Sequence, residues 1–518
     1  MMSRFNRLGA LTLSMFMGAC VSPPVEAPQS NVEQQTDVST NQNAKNKVDL
    51  LFMVDDSGSM APKQDELKSR FPQFIAQLDS FAAGGHPADY HIGVVTSSLG
   101  APGYAACPNG GAKLVQRGQA KTNTPGCTGP TGNFMVYNQL DHTQDNFNST
   151  QGAAATFSCM ASVVDQVGTA GGFIGCGFEH QLEAPYRVLH DTTIVENKGF
   201  LRDDAILAVI FVTDEDDCSV DPSSDLFANP NLGPLNSYRC AQNGIVCDGV
   251  LLPDAPQASF NNCKPATYAQ SGKRLTDLEK YVTFFTQSNT AGGVKADPRD
   301  VILAAITAPA DPVGSFTAMG GGNCGTLIGG AQVTSCTNIS HSCTLPGKES
   351  IFFGDPAHRL RYVVGKAQNN AITSICDSSY AAALDAIGKK IVNALQPSCL
   401  TSPLKQVTIN GSLRPDCVVQ DVTNTGGAIT RNIMPYCPDA PGTFPCWQTK
   451  ENKQCAAVCD PQTSKYVQTG VEVNRNMQKA PANTTADVSC NTIAIANTQP
   501  DAICLAAGNM PPAGNPDM

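Results

Sequence analysis

The stretch Val48–Met60, VDLLFMVDDSGSM, decides the fold. Val48 to Val54 is mostly apolar and does not alternate, the pattern of a strand covered on both faces. It runs directly into Asp55-Asp56-Ser57-Gly58-Ser59. A carboxylate at 55 and hydroxyls at 57 and 59 crowd hard oxygen donors onto one turn, a set suited to Mg²⁺, Ca²⁺ or Mn²⁺. In open α/β sheets ligands bind beyond the carboxyl ends of the strands, where this turn would lie.

Outward from that stretch the same alternation recurs. Pro62 suits a helix start, and Leu67, Phe71, Phe74, Ile75, Leu78 and Phe81 follow at helical spacing. Pro72 predicts a kink or break near Arg70–Phe71. Strands are expected at Tyr90–Ser97, Asn133–Asn138, Ala205–Thr213 and Val301–Thr307. Helices are expected at Phe157–Gln166, Phe178–His190, Leu275–Gln287 and Tyr380–Leu395. Buried strands alternating with helices predict an α/β fold: a doubly wound, mostly parallel sheet over Lys47–Pro397. Asp216–Lys273 and Ala308–Gly354 read as long Cys-bearing insertions. From Ser398 to Cys504 short alternating segments and cysteines predict a small, disulfide-stapled β-rich domain, and Leu505–Met518 a tail.

The formal net charge of −11 over 518 residues argues against nucleic acid as a partner. Of 21 cysteines, twelve fall between 107 and 376 and eight between 399 and 504, so each domain could pair internally. Such a set reads most simply as disulfides formed outside a reducing cytosol. The remaining one, Cys20, closes a positively charged and then apolar segment, residues 1–20, that ends Met17-Gly18-Ala19-Cys20. That ending resembles the lipobox of bacterial lipoproteins, with Met17 where Leu is usual. The resemblance implies lipidation of Cys20 and, with Val21 next, an outer-membrane lipoprotein on the periplasmic or cell-surface side. Val21–Asn46, rich in Pro, Gln, Asn, Ser and Thr, is expected to be a disordered tether.

The strand followed by Asp55-x-Ser57-x-Ser59 resembles the metal-ion-dependent adhesion site of von Willebrand factor type A domains. That resemblance implies cation ligation by Asp55, Ser57 and Ser59, with Asp214, at the end of a second buried strand, as a further ligand. It also implies a Thr from a middle loop. None stands at the expected offset in Gly175–Leu182, where Glu179 could take its place or be a first-turn residue favoured by the helix dipole. Asp214-Glu215-Asp216-Asp217 could bind a second Ca²⁺ or be a solvated acidic loop. The function implied is a divalent-cation site, preferably Mg²⁺, that holds an acidic residue of a protein ligand, as in adhesion. The other readings are a structural envelope protein whose metal only stabilises the fold, and a metal-dependent hydrolase. No His-Glu-x-x-His, Gly-x-Ser-x-Gly or P-loop pattern supports an enzyme.

Overall fold

The computed structural model describes residues 34–40 and 46–509, apart from 84–86, 117–127, 164–176, 321–323, 396–397, 401, 410, 426–427, 452–456, 461, 477–483 and 494–501. The expected signal segment with Cys20, and the Gly-rich loop before Glu179, therefore lie wholly or mostly outside the described residues.

After β1 (Gln34–Thr40), the central strands of the first part of the chain are β2 (Lys47–Val54), β3 (Asp89–Thr96), β4 (Met135–Asn138), β5 (Ile206–Val212), β6 (Val301–Thr307) and β7 (Asn369–Ser374). β2 to β7 form one six-stranded sheet in the order β7-β6-β5-β2-β3-β4, parallel except for β4. The chain leaves β2 toward β3 on one side and returns to β5 on the other. The carboxyl ends of β2 and β5 therefore flank a point where the strand order reverses, the place where a crevice opens in such sheets.

Alternate residues of the central strands feed two separate cores. Val48, Leu50, Phe52 and Val54 pack with α1 (Ala61–Ala83), α2 (Gly152–Met160) and the helix at Ala381–Leu395. Leu51 and Met53 face the opposite side, against α3 (Glu183–His190), α4 (Leu278–Thr286) and α5 (His358–Lys366); the helix Ala381–Leu395 is α6. Phe52 sits at the middle of the first core, its ring 4.8 Å from Phe157 and 5.8 Å from Phe71. Truncating a ring so placed leaves a cavity as well as losing transfer energy, and typically costs about 3–5 kcal/mol. Phe52→Ala is expected to lower the thermal midpoint by a corresponding amount, and a change within a degree or so of zero would contradict this packing.

Several sequence expectations need correction. Pro72 does not break α1, which runs unbroken across it. Phe71, Phe74, Ile75 and Leu78 on both sides of the proline are buried in one core, and that packing outweighs the single lost backbone bond. The helix expected from Phe178 begins only at Glu183. The edge strand β7 and helix α5 were not legible: β7 reads Asn-Asn-Ala-Ile-Thr-Ser and is half-buried along its whole length.

The tether expected over Val21–Asn46 is likewise not wholly irregular. Within it β1 pairs antiparallel with a strand near the other end of the chain, from Gln34 opposite Thr492 to Thr40 opposite Ala486. Backbone hydrogen bonding to a sheet edge orders it. With β8 (Cys417–Thr425), β9 (Ala428–Met434) and β10 (Thr484–Thr492) it makes a four-stranded sheet in the order β1-β10-β8-β9. That sheet and a three-stranded one carrying the buried Trp447 share the core of the C-terminal part.

Disulfides are spread over both parts of the chain. Cys218–Cys240, Cys247–Cys263, Cys324–Cys336 and Cys343–Cys376 lie in the first part, and Cys417–Cys490, Cys437–Cys446 and Cys459–Cys504 in the second. Each of these pairs stays within its own part. The architecture is thus mixed α/β, built on a largely parallel sheet and rich in disulfides.

Candidate functional site

The carboxyl ends of β2 and β5 lie side by side, because Val54 is in register with Val212. The residues after them, Asp55 and Thr213-Asp214, therefore emerge at the same edge of the sheet. Asp55 is fully buried there. Its carboxylate accepts from the Ser57 amide at 2.8 Å and from the Thr213 hydroxyl at 2.6 Å, while its carbonyl accepts from the Gln64 amide at 2.7 Å. The hydroxyls of Ser57 and Ser59 lie 3.1 Å apart. Asp56 points away, toward the end of β3, and accepts from the Ser97 and Ser98 hydroxyls at 3.1 and 2.8 Å.

Asp214 is also fully buried, and the ammonium of Lys63 from α1 is ion-paired to its Oδ2. Lys63 bonds further to the Ser59 carbonyl at 3.3 Å and lies 4.3 Å from the centre of the Phe353 ring. Two more carboxylates join, Glu215 from the acidic run already noted and Asp355, which the sequence pattern did not single out. Glu215 follows Asp214 directly. Asp355 is held alongside by its amide, which donates to the Asp214 carbonyl at 2.7 Å. Gly354 permits that approach: a Cβ there would sit 2.7 Å from the Ala308 side chain and 2.8 Å from that of Ile375. Asp355 also bonds His341 Nδ1 at 2.6 Å, and the His341 ring stacks 4.1 Å from Phe353.

Glu179 completes the group. It stands four residues ahead of α3, not in its first turn, so the helix-dipole reading of this residue does not apply. It is buried and shares a small cavity of about 20 Å³ with Glu215, Asp216, Ser237 and Asp355. No basic residue is among those lining that cavity. Asp55, Ser57, Ser59, Asp214 and Glu179 are thus all at one edge of the sheet, joined by Glu215, Asp355 and Lys63.

The electrostatics follow from the crowding. Burial, then the Asp214 carboxylate, push Asp55 up to about 7. Burial and the neighbouring Glu215 and Asp55 charges hold Glu179 far above the usual carboxylate range. Glu215 is raised in the same direction by burial and by Asp355, Asp214 and Asp55. Asp355 rises through burial, against the pull of His341. Within this group two buried carboxylate oxygens, Asp214 Oδ1 and Glu179 Oε1, have no hydrogen-bond partner. Buried charges without partners are strongly unfavourable, so this edge favours protons or a further cation.

Asp216 and Asp217 play a different part, so the run 214–217 is neither one solvated loop nor one ligand set. Asp216 accepts from the Arg359 and Leu360 amides at the start of α5, at 2.9 and 3.0 Å. Asp217 bonds the Arg359 guanidinium at 3.1 Å and the Leu182 amide at 2.9 Å. These bonds anchor the loop that carries Asp214 and Glu215. Arg359→Leu leaves Asp217 buried without its counter-charge, at an expected cost of about 3–5 kcal/mol in denaturant unfolding. A cost under about 1 kcal/mol would show that this ion pair does not anchor the loop.

The donors fit a hard divalent cation in kind: carboxylates and hydroxyls, two of the oxygens lacking partners. As the side chains stand, no group of three or more His, Cys, Asp or Glu among the described residues is drawn together closely enough to hold a metal. The reason is visible in the bonds above. Asp55 is turned toward Thr213 and Ser57, and Asp214 toward Lys63. Ligation requires these side chains to rotate inward.

No family model matches the chain, and no curated protein matches it. Solved structures that align with it include bacterial pilus adhesins. RrgA from Streptococcus pneumoniae aligns at 10% identity and a TM-score of 0.29, over 89% of this chain and 58% of that one. SpaC from Lactobacillus rhamnosus GG, in its open conformation, aligns at 13% and 0.29, over 90% and 42%. GBS104, an adhesive tip pilin from Group B Streptococcus agalactiae, aligns at 11% and 0.27, over 90% and 82%. The chain thus spans about half the length of the first two. TM-scores this low do not mark a shared fold, so neither architecture nor function is read from these proteins.

The von Willebrand factor type A resemblance drawn from Asp55-x-Ser57-x-Ser59 is corrected by this outcome, since no family model recognises the chain. A five-residue turn after a buried strand is a short signal that many α/β sheets could carry. What remains is the geometry of the residues themselves.

Proposed function

We propose that this sheet edge binds one hard divalent cation, Mg²⁺, Ca²⁺ or Mn²⁺, and that the ion holds an acidic side chain of a protein partner. The residues that would hold the ion are Asp55, Ser57, Ser59, Asp214 and Glu179. The observation that carries the reading is the crowding of five buried carboxylates (Asp55, Glu179, Asp214, Glu215, Asp355) at one sheet edge, with Lys63 paired to Asp214 and two of the buried oxygens unpartnered. A divalent ion offsets that excess of negative charge, and a partner's carboxylate suits a position that the protein's own oxygens leave to solvent. Long insertions around the same edge, such as the segment with Phe353 and Asp355, would shape which partner fits.

The proposal is for a binding protein, not an enzyme. The histidine that touches the cluster, His341, is engaged by Asp355 and stacked on Phe353. The disulfides favour an extracytoplasmic setting. With the sequence signal at Cys20, we place the chain as a lipid-anchored protein of the bacterial outer membrane. Among the described residues no helix is long and apolar enough to cross a membrane.

The test is calorimetric titration of MgCl₂, CaCl₂ and MnCl₂ into chelator-treated full-length protein. A second titration adds peptides bearing a single Glu or Asp, with and without the ion. Saturable ion binding followed by ion-dependent peptide binding supports the reading. Ion binding with no effect on any acidic ligand moves the site to a fold-stabilising role. No ion binding at all ends the proposal.

A further inference from the structure

We propose that the ammonium of Lys63 is a built-in competitor for the divalent ion, so that the chain sets the affinity and charge selectivity of its own site. This rests on the reading of the sheet edge as a cation site. Lys63 lies in the first turns of α1, and its side chain is entirely buried. Three groups hold its Nζ: the Asp214 carboxylate, the Ser59 carbonyl at 3.3 Å and the face of Phe353 at 4.3 Å. Two of these belong to residues already argued to receive the ion.

Lysine is rarely buried unless paired, because its ammonium is strongly hydrated in water. Here one Asp214 oxygen serves the ammonium while the other, Oδ1, has no partner. A divalent ion drawn to the same carboxylate meets the like charge of Lys63 directly. Binding therefore requires the ammonium to move off Asp214, along the face of Phe353. Each incoming ion is exchanged against one lysine charge. A monovalent ion replaces +1 with +1 and gains nothing electrostatically, whereas a divalent ion gains one charge against the surrounding carboxylates. The internal lysine thus lowers absolute affinity while favouring divalent over monovalent ions.

The test uses the full chain and two variants. Lys63→Gln keeps a hydrogen-bond donor for Asp214 without its charge, and Lys63→Met keeps only the length. Titrated with CaCl₂ after chelator treatment, both are expected to bind at least tenfold more tightly than wild type. Both should also show sodium inhibiting Ca²⁺ binding more strongly. Equal or weaker Ca²⁺ binding by folded variants overturns this inference while leaving the cation site in place. Absence of Ca²⁺ binding in wild type and variants alike overturns both.

Should the variants not fold, amine acetylation of the wild type with mass-spectrometric readout decides. Lys63 is expected to be protected without added Ca²⁺ and modified at saturating Ca²⁺. Protection unchanged by Ca²⁺ that demonstrably binds shows that the ammonium is not displaced.

Discussion

Asp55→Ala is expected to weaken divalent-cation binding by at least about a hundredfold while leaving the chain folded. Loss of groups that only support metal ligands already weakens binding roughly ten- to a hundredfold. Removing a carboxylate that meets the ion should do no less. The fold should survive because this carboxylate is not a net stabiliser. It gives up bonds from Thr213 and the Ser57 amide, but also relieves its burial and its repulsion by Asp214. In chelator at pH 8 the variant's thermal midpoint should therefore match or exceed that of wild type. Calorimetry and circular dichroism on the same preparations check both halves. Retained affinity in a folded variant would remove Asp55 from the site.

The second large effect is on stability against pH. Asp55 keeps a proton up to about pH 7 in the folded chain but loses it near 3.8 when unfolded. Between those values the folded state binds more protons, so stability falls as pH rises through the window. Asp55 alone contributes on the order of 3–4 kcal/mol to that fall, and Glu179, Glu215 and Asp355 add to it in the same direction. The partly exposed turn residues Asp141, Asp191 and Asp221 work the opposite way. Their hydroxyl and amide partners lower them below the ordinary range, so their contribution is lost only as pH drops below about 4. Urea unfolding in chelator should thus show stability declining from about pH 5 to pH 8. A saturating divalent ion competes with those protons and should flatten or reverse the decline. A chelated protein equally stable across this range would show that the cluster is not charged against its burial.

How far the sequence led is clear at particular residues. β2, β5 and β6 were legible because burial on both faces leaves a continuous apolar run. Their ends fixed Asp55 and Asp214 as neighbours in space. β7 was not legible, because an edge strand with half-buried polar residues lacks both the run and the alternation. Glu215 stood in the acidic run 214–217 that the sequence did mark, but Asp355 and Lys63 were missed for another reason. Nothing local marks them, since Asp355 arrives on an insertion through the tight approach at Gly354, and Lys63 reads as one more charged residue on a helix. The Met60-x-x-Lys63 position, one turn beyond the oxygen-rich loop, was the available signal. Pro72 and the polar β1 misled in opposite directions, because tertiary packing and edge pairing overrode local propensity.

The claim beneath all of this is that oxygen donors from β2, β5 and the loop before α3 close on one ion. Anomalous diffraction from crystals soaked in MnCl₂ tests it most directly. The account predicts a single strong manganese peak bounded by Asp55, Ser57, Ser59, Glu179 and Asp214, with the Lys63 ammonium moved off Asp214. Manganese bound elsewhere, or no peak at saturating concentration with Lys63 still on Asp214, would contradict it.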